Sequence, residues 1–285
     1  MPELPEVETI VRELQNTITG KAILKIWIEQ GYKVQPNSSK FSDSLEKSHI
    51  EKVERLAKNI VITLFKKDFF LVFHLAMTGR ILLRNISDSK DAHTRVKITF
   101  VDQTELRFCD VRMFGSARIL SKKELITLKQ KYGPSPFHKD LTASKLMAIL
   151  SSKNTIIKRA LLEQELISGL GNIYANDSLF MAKIHPEAKT RQLIRDDYQR
   201  LLSAMKQILL EGIKHKGSTL DDEMFVDIWG KKGEHQNFFR IYGKDNKPCP
   251  SCNGKILVKS ISQRPTYFCP NCQLLKRETK QGFLL

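Results

Sequence analysis

Two pairs of cysteines near the end of the chain constrain its fold more than any other feature of the sequence. Cys249 and Cys252 form one Cys-x-x-Cys pair, Cys269 and Cys272 form a second, and sixteen residues separate the two pairs. Two such knuckles at this spacing supply four thiolates for a tetrahedral zinc site. Because four protein ligands fill the coordination shell, the sequence predicts one zinc ion with a structural and not a catalytic role.

The segment between the knuckles has the pattern of a β-hairpin. Residues 255–259 and 263–268 suit two short strands, which places Arg264 near the tip. A guanidinium group suits a bidentate grip on phosphate, although a single arginine on such a ribbon is also compatible with a plain surface charge. The fifth cysteine, Cys109, lies in a strand-like run and is interpreted as a packing residue.

The charge of the chain indicates a polyanionic partner. Its 285 residues include 47 basic and 31 acidic side chains, which gives a formal net charge of +16. This imbalance is large for an enzyme of small metabolites, and nucleic acid is the simplest partner that explains it. No apolar run approaches the length of a membrane span and no signal peptide is visible, so we expect a cytoplasmic protein that does not use a membrane.

The hydrophobic pattern changes near the middle of the chain and predicts an α+β protein with several domains. Short strand-like runs are found at 23–28, 60–65, 69–75, 80–83, 96–101 and 105–109. Many short strands between turn signals predict a β-sandwich, against which an amphipathic helix over 7–18 would pack. Helical periodicity follows at 141–150, 155–167, 173–181 and 195–214. Glycine and two prolines within 131–136 mark a linker and possible hinge between the two halves.

The first residues carry a candidate nucleophile. If Met1 is removed, Pro2 has a free secondary amine, and an α-amino group titrates near ~8, well below lysine. Such an amine can attack a sugar C1′ and leave an iminium that acts as an electron sink. Glu3 follows directly and can exchange protons with the same ligand atoms. The alternative is that these residues merely lead into the first helix.

Residues 2–9, PELPEVET, resemble the N-terminal signature of the formamidopyrimidine-DNA glycosylases, bacterial base-excision enzymes for oxidised purines. The resemblance implies that Pro2 is the Schiff-base nucleophile and that Glu3 helps to open the sugar ring. With Met1 retained, the Pro2 nitrogen would be an amide and could not be the nucleophile. The related endonuclease VIII branch usually has glycine in place of Leu4, so Leu4 favours the purine branch.

Two positions in the strand-rich half match cations of this family. Lys58, in RLAKN, occupies the position of a lysine that contacts DNA phosphate and transfers a proton in β-elimination. His93 matches a histidine that contacts phosphate. The family commonly has His-Asp-His there, whereas this chain has His-Thr-Arg, and Arg95 is expected to keep a cation for phosphate.

Three further residues match the side chains that this family inserts into DNA. Met77 would fill the gap left by a flipped-out nucleotide, and Phe114 would act as a wedge in the base stack while Arg112 reaches the unpaired base. The loop at 110–115, DVRMFG, resembles the family's Asp-Pro-Arg-Arg-Phe-Gly. Valine in place of proline is expected to loosen the loop, and methionine in place of the second arginine removes one cation.

The helical half carries the remaining matches. Residues 167–180, with GLGNIYA, resemble the helix–two-turn–helix of the same family, which implies a phosphate contact from Asn172. Lys153 and Lys158 match basic positions that touch the DNA backbone. Arg264 matches the arginine that grips the phosphates flanking the lesion and donates a proton in δ-elimination.

The resemblance implies a four-part organisation. It predicts an N-terminal catalytic β-sandwich domain (1–131), a hinge linker (132–137), a helix–two-turn–helix domain (138–243) and a C-terminal zinc finger (244–285). A lesion-capping loop would span about 217–238. Both ends of this loop match the family, whereas 221–223 and 228–230 depart from it.

Together these matches predict a bifunctional DNA glycosylase and AP lyase that acts on damaged double-stranded DNA. It would remove formamidopyrimidines and 8-oxoguanine, cleave the strand by β,δ-elimination, and work as a monomer at the bacterial nucleoid. Two alternatives remain. An endonuclease VIII-like enzyme for oxidised pyrimidines is disfavoured by Leu4 and the Met77, Arg112 and Phe114 trio. A catalytically silent zinc-ribbon DNA-binding protein is disfavoured by the intact Pro2, Glu3 and Lys58.

Overall fold

The computed structural model describes residues 2–275, which fall into two compact units. The first unit comprises the residues up to 133 together with 209–238, and the second comprises 134–208 and the residues from 239 onward. The division at 133/134 lies within the predicted linker. Met1, whose removal the predicted role of Pro2 requires, lies outside the described residues. Nowhere in 2–275 is a helix both long and apolar enough to cross a membrane.

The first unit contains the two antiparallel four-stranded sheets of a β-sandwich, as the short strand-like runs predicted. In the first sheet the strands follow the order β1-β6-β7-β5, and they are β1 (Ile23–Ile28), β5 (Gly79–Asn85), β6 (Thr94–Phe100) and β7 (Thr104–Asp110). In the second sheet the order is β2-β3-β4-β8, with β2 (Ile50–Leu56), β3 (Asn59–Leu64), β4 (Phe69–His74) and β8 (Ser116–Ser121).

Helix α1 (Leu4–Ile18) packs its apolar face into this sandwich, and Val7, Ile10, Leu14 and Ile18 are fully buried. The helix begins three residues before the predicted start. Proline in the first turn and a capping box between the N-cap residue and Glu6 explain this early start, because both stabilise the first turn.

Four elements of the first unit were not recognised in the sequence: β2, β8, α2 (Ser38–Leu45) and α3 (Lys122–Gln130). The two helices are mostly polar. Only Phe41 and Leu45 of α2 and Leu125 of α3 are buried, so their apolar periodicity is weak. Side-chain caps define their starts instead, from Asn37 in α2 and Ser121 in α3.

The segment 209–238 packs within the first unit, although the sequence assigned it to the helical domain. Phe225 and Ile228 are buried in the main core of the sandwich. The Ile228 N–H donates to the Glu13 carboxylate at 3.3 Å, and the Ile228 carbonyl accepts from the Leu83 N–H at 2.8 Å. The departure from the family pattern at 228–230 therefore begins at an anchored residue, Ile228.

The second unit is helical with a terminal hairpin. Its helices are α4 (Ala143–Ser151), α5 (Ile157–Leu162), α6 (Asn172–Met181) and the greater part of α7 (Arg195–Lys214), and its strands are β9 (Leu257–Ile261) and β10 (Arg264–Phe268). Helix α5 is shorter than the predicted 155–167. The chain turns after it because the Gln164 side chain accepts from the Gly169 N–H and donates to the Leu170 carbonyl.

The anchoring of 225–228 predicts a difference between two neighbouring substitutions. Ile228→Ala removes a fully buried side chain and is expected to lower the free energy of unfolding by about 2–5 kcal/mol. Trp229→Ala is the matched control, because Trp229 is 48% exposed and its loss should cost less than about 1 kcal/mol. Chemical denaturation measures both, and equal small effects would show that the segment does not belong to the core.

Candidate functional site

Pro2 and Glu3 are held at the start of α1 by a buried carboxylate. Pro2 is buried, Glu3 is 2% exposed, and Glu3 is the N-cap residue of the helix. The Glu3 N–H donates to Glu6 Oε2 at 2.8 Å, and the Ser218 N–H donates to Glu6 Oε1 at 2.7 Å. The Glu6 carboxylate thus joins the N-terminus to the start of the segment at 218.

Gly217 permits this connection. Its φ is +79°, and a Cβ at this position would lie 2.8 Å from Glu6 Cγ and 3.0 Å from a ring carbon of Phe225. A larger residue would therefore be strained and would push the Glu6 carboxylate out of place.

Lys58 lies in a two-residue turn between β2 and β3, and this turn is linked to α1. Ala57 has a left-handed φ of 53°, and its carbonyl accepts from Arg55 Nη1 at 3.0 Å. Arg55 Nε donates to the carboxylate of Glu8 on α1 at 2.7 Å. Burial alone would raise the pKa of Glu8, but hydrogen bonds and charge from Arg55 and Arg12 hold that pKa below its usual 4.5. The structure thereby connects the helix behind Pro2 to the turn that carries Lys58.

Met77, Arg112 and Phe114, predicted from two separate motifs, form one cluster. The Arg112 guanidinium lies 4.7 Å from the centre of the Phe114 ring, which is a cation–π contact. Arg112 Nη1 is 3.6 Å from the Met77 sulfur. Phe114 is 58% exposed, so an apolar ring projects from the loop with a cation stacked on it.

The loop that carries Arg112 and Phe114 is closed by hydrogen bonds that do not need a proline at position 111. Asp110 is fully buried; one of its oxygens accepts from the Gly115 N–H at 2.7 Å and the other from the Thr78 hydroxyl. The Thr78 hydroxyl in turn accepts from the Arg112 N–H at 3.1 Å. The expected loosening of this loop is therefore offset by Asp110 and Thr78, which sequence reasoning did not single out.

His93 and Arg95 lie beside the same loop but differ in exposure. His93 is exposed, and its carbonyl accepts from the Asp110 N–H at 3.0 Å. The Arg95 side chain is 11% exposed, pairs with Glu29 and donates to the Asp110 carbonyl at 2.8 Å. The expectation that Arg95 offers a cation to phosphate is not supported, because its guanidinium is committed to holding the loop.

In the second unit, Asn172 lies against the hairpin that carries Arg264. Asn172 is the first residue of α6, and its side-chain amide donates to the Pro265 carbonyl at 3.0 Å. Arg264 follows a tight turn in which Ser262 and Gln263 both have positive φ, and it is exposed. Two residues predicted from distant parts of the sequence are thus brought together.

The two predicted lysines of this unit have different surroundings. The Lys153 side chain is 48% exposed and pairs with Glu163, which raises the pKa of Lys153. Lys158 is fully buried, and its ammonium donates to the Asn172 carbonyl at 3.3 Å. A direct contact between Lys158 and a phosphate, as predicted, would require this buried ammonium to become exposed.

Asn176 and Asp177, which the sequence analysis missed, hold α6 to the hairpin region. Asn176 Oδ1 accepts from the Tyr267 N–H at 2.8 Å. Asp177 is buried and accepts from three successive backbone N–H groups, those of residues 240–242, at 2.7–3.1 Å. Burial nevertheless raises the pKa of Asp177. Three consecutive polar residues in the middle of α6, Asn176, Asp177 and Ser178, were the signal that could have found them.

The four predicted metal ligands converge. The sulfur atoms of Cys249, Cys252, Cys269 and Cys272 all lie within 4.8 Å of one another. The sulfurs of Cys249 and Cys272 are 3.8 Å apart, and those of Cys252 and Cys269 are 3.5 Å apart. Tetrahedral zinc with Zn–S bonds of about 2.3 Å requires sulfur separations of about 3.8 Å. The cluster therefore fits one structural zinc ion.

Three protein-family models match the chain. They are the formamidopyrimidine-DNA glycosylase N-terminal domain over residues 1–117, the formamidopyrimidine-DNA glycosylase H2TH domain over 132–224, and the zinc finger found in FPG and IleRS over 246–274. The last match covers all four cysteines and Arg264, and the first covers Pro2, Glu3 and Lys58.

Curated relatives match over nearly their full length. A formamidopyrimidine-DNA glycosylase of Herpetosiphon aurantiacus is 35% identical over 275 residues, which cover 96% of this chain and 100% of that protein. One from Bacillus cereus is 37% identical over 278 residues, which cover 96% and 99% of the two chains.

Solved structures of the Lactococcus lactis enzyme have the same fold. Its complex with DNA containing an abasic site matches with a TM-score of 0.88 and 34% identity, covering 95% of this chain and 99% of that chain. Its complex with DNA containing an oxidised pyrimidine matches with a TM-score of 0.87 and 34% identity, covering 96% and 100%.

The cysteine cluster predicts a metal-dependent module. Cys269→Ser removes one of the four thiolates and is expected to release the zinc ion, since the remaining three cannot complete the tetrahedron. Elemental analysis of the purified protein measures the zinc content. Cys109→Ser is the matched control, because Cys109 is a buried cysteine outside the cluster and this variant should keep one zinc per chain. Full zinc occupancy in Cys269→Ser would contradict the assignment.

Proposed function

This chain belongs to the formamidopyrimidine-DNA glycosylase family of base-excision-repair enzymes, and we propose that it removes oxidised purines from duplex DNA through a Schiff base on Pro2. We further propose that it then cleaves the strand by β- and δ-elimination. The observation that carries the proposal is the N-terminus itself. Pro2 and Glu3 are buried at the start of α1 and fixed there by Glu6, which is the preorganisation that a covalent nucleophile needs.

In the first step the Pro2 nitrogen forms a bond to C1′ of the damaged nucleotide and loses its proton, and the bond from C1′ to the base breaks as the departing base takes up a proton. Glu3 transfers the proton that opens the deoxyribose ring, which leaves an iminium between Pro2 and C1′. The iminium acidifies the C2′ hydrogen. Lys58 removes this proton, and the 3′-phosphate leaves.

Loss of the C4′ proton to solvent and departure of the 5′-phosphate from C5′ complete the cleavage. Arg264 grips the flanking phosphates and donates the proton for this δ-elimination. Its exposed position on the hairpin, next to the contact between Asn172 and Pro265, supports this role. Four protein thiolates saturate the zinc ion, so the metal takes no part in these steps.

The cluster of Met77, Arg112 and Phe114 replaces the nucleotide that is flipped out of the helix. Phe114 inserts into the base stack, and Arg112 reaches the base left without a partner. Support comes from the contacts among the three side chains, because a preassembled cluster loses less conformational entropy on binding than three separate ones.

DNA phosphates contact the remaining cations and polar groups. We assign His93, Lys153, Asn172 and Arg264 to direct contacts and Lys158 to support of Asn172 through its carbonyl. The net charge of +16 supports a binding affinity that falls steeply as salt rises.

Oxidised pyrimidines are a second candidate substrate class. The solved complex of the Lactococcus lactis enzyme with oxidised-pyrimidine DNA favours it, since that enzyme is 34% identical to this chain. The turn around Ile228, where this chain departs from the family pattern, is the part of the sequence that leaves the ranking of lesions open.

Borohydride trapping tests both the nucleophile and the substrate class. We expect a covalent complex on duplexes with 8-oxoguanine or formamidopyrimidine, and Pro2→Gly should slow base release by about 100-fold or more, because it removes the secondary amine. Pro5→Ala is the matched control in the same motif and should still be trapped, since it leaves the Pro2 amine in place.

Each other outcome of this experiment points to a different conclusion. Trapping on an oxidised-pyrimidine duplex alone would favour the second substrate class. No trapped complex on any duplex would support a silent DNA-binding protein. Unchanged base release by Pro2→Gly would refute the assignment of Pro2.

A further inference from the structure

Asn59 is a polar residue buried at the start of an otherwise apolar strand. Strand β3 reads NIVITL, and Asn59 is 1% exposed. Within residues 2–275 its side-chain oxygen Oδ1 has no hydrogen-bond partner. Burying an unpartnered amide oxygen costs free energy, which offsets part of what the hydrogen bonds from Nδ2 contribute to stability. The role of the amide is therefore sought in the residues that its Nδ2 contacts.

The Asn59 side chain closes the turn that carries Lys58. Its Nδ2 donates to the Leu56 carbonyl at 3.1 Å, and Leu56 and Asn59 are the paired residues at the two ends of the turn. Ala57 in this turn has a left-handed φ of 53°, an uncommon conformation for alanine that the surrounding contacts must maintain. On the other side of Lys58, Arg55 donates to the Ala57 carbonyl. Hydrogen bonds from Arg55 and from Asn59 therefore hold the turn on both sides of Lys58.

Tyr132, from a distant part of the chain, accepts a second hydrogen bond from the Asn59 side chain. The same Nδ2 of Asn59 donates to the Tyr132 hydroxyl oxygen at 2.9 Å. Because Oδ1 makes no hydrogen bond in the described chain, these two contacts alone orient the amide. Tyr132 is half-buried and directly precedes Gly133, the residue with which this part of the first unit ends.

Lys58 itself is 8% exposed, and its positive charge acts on His74 in the neighbouring strand β4. His74 is paired with Asn59 across β3 and β4. Burial lowers the pKa of His74, and the positive charges of Arg118 and Lys58 lower it further. Because Lys58 is largely buried and its charge acts on His74, a small displacement of the turn would change the position of the Lys58 amine relative to its neighbours.

We propose that Asn59 and Tyr132 are positioning residues for Lys58 and that their hydrogen bond fixes the Lys58 amine for proton removal from C2′. The proposal rests on the role of Lys58 given above. It concerns the elimination and not base release, because Pro2 and Glu3 are held by Glu6 and Ser218, through contacts that do not include Asn59 or Tyr132.

The test separates the two steps in the full-length, zinc-loaded protein. A duplex with a preformed abasic site is incubated with enzyme in excess, once to follow strand cleavage and once with borohydride to follow the rate of trapping. Tyr132→Phe is expected to slow strand cleavage about 10-fold, since misplacing a catalytic group by ~1 Å costs up to about 100-fold. Its trapping rate should stay within about 2-fold of wild type, because the chemistry of Pro2 is intact.

Asn59→Leu distinguishes positioning from stability. Leucine has nearly the same shape, but it leaves the Leu56 carbonyl and the Tyr132 hydroxyl without the Nδ2 donor, so the melting temperature should fall by less than about 5 °C and the protein should stay folded in the assay. We nevertheless expect the same selective loss of strand cleavage as in Tyr132→Phe. The double variant should be no slower than Asn59→Leu alone, because both changes remove the same hydrogen bond between Asn59 and Tyr132.

Tyr198→Phe is the matched control. The Tyr198 hydroxyl donates to the Thr190 carbonyl at 2.7 Å within the second unit, so this variant loses a buried tyrosine hydrogen bond without touching the Lys58 turn. Strand cleavage and trapping should both remain at wild-type rates.

Lys58→Ala separates failure of this inference from failure of the proposed function. If Lys58→Ala cleaves the abasic duplex at the wild-type rate, the role of Lys58 is wrong and the positioning inference fails with it. If Lys58→Ala is slow while Tyr132→Phe and Asn59→Leu cleave at the wild-type rate, only the positioning inference is overturned. Equal losses of trapping and cleavage in the two positioning variants would also overturn it, because they would show a general structural effect.

Discussion

The carboxylate of Glu6 makes the interactions on which the position of the N-terminal residues depends. It is 2% exposed, and its two oxygens accept backbone N–H groups from Glu3 and from Ser218, residues that are 215 positions apart in the chain. An N-terminus is normally the most mobile part of a domain. Here the second and third residues are instead buried and fixed, which converts a chain terminus into a preorganised chemical group.

Further hydrogen bonds hold two other loops of the first unit in place. Glu8 and Arg55 connect α1 to the Lys58 turn, while Asp110 and Thr78 close the loop that bears Arg112 and Phe114. These links join buried or half-buried polar side chains to one another or to backbone groups. Such groups are costly to bury unless they are satisfied, so they specify one conformation of each loop rather than merely adding stability.

The features that the sequence predicted well are those set by local spacing. The four cysteines lie where two Cys-x-x-Cys knuckles should place them, the sandwich follows from its short alternating strands, and α7 has the predicted bounds. Residues 2–9 and the motifs at Lys58 and Asn172 identified the family, because each combines several residue types at fixed spacing.

What the sequence could not predict depends on contacts between distant residues. The burial of Phe225 and Ile228 in the first unit, the burial of Lys158 and the partner of Asn59 have no local signature. Arg95 shows the same limit. Its position beside His93 suggested a phosphate contact, yet its pairing with Glu29 and the Asp110 carbonyl is visible only in the folded chain. The polar helices α2 and α3 were missed because caps, and not apolar periodicity, define them.

The central claim is that the Pro2 nitrogen bonds covalently to the damaged deoxyribose. Mass-spectrometric peptide mapping of the borohydride-reduced complex tests it most directly. We expect the DNA adduct on an N-terminal peptide that begins with Pro2 and lacks Met1. An adduct on the peptide containing Lys58, or an active enzyme population that retains Met1, would contradict it.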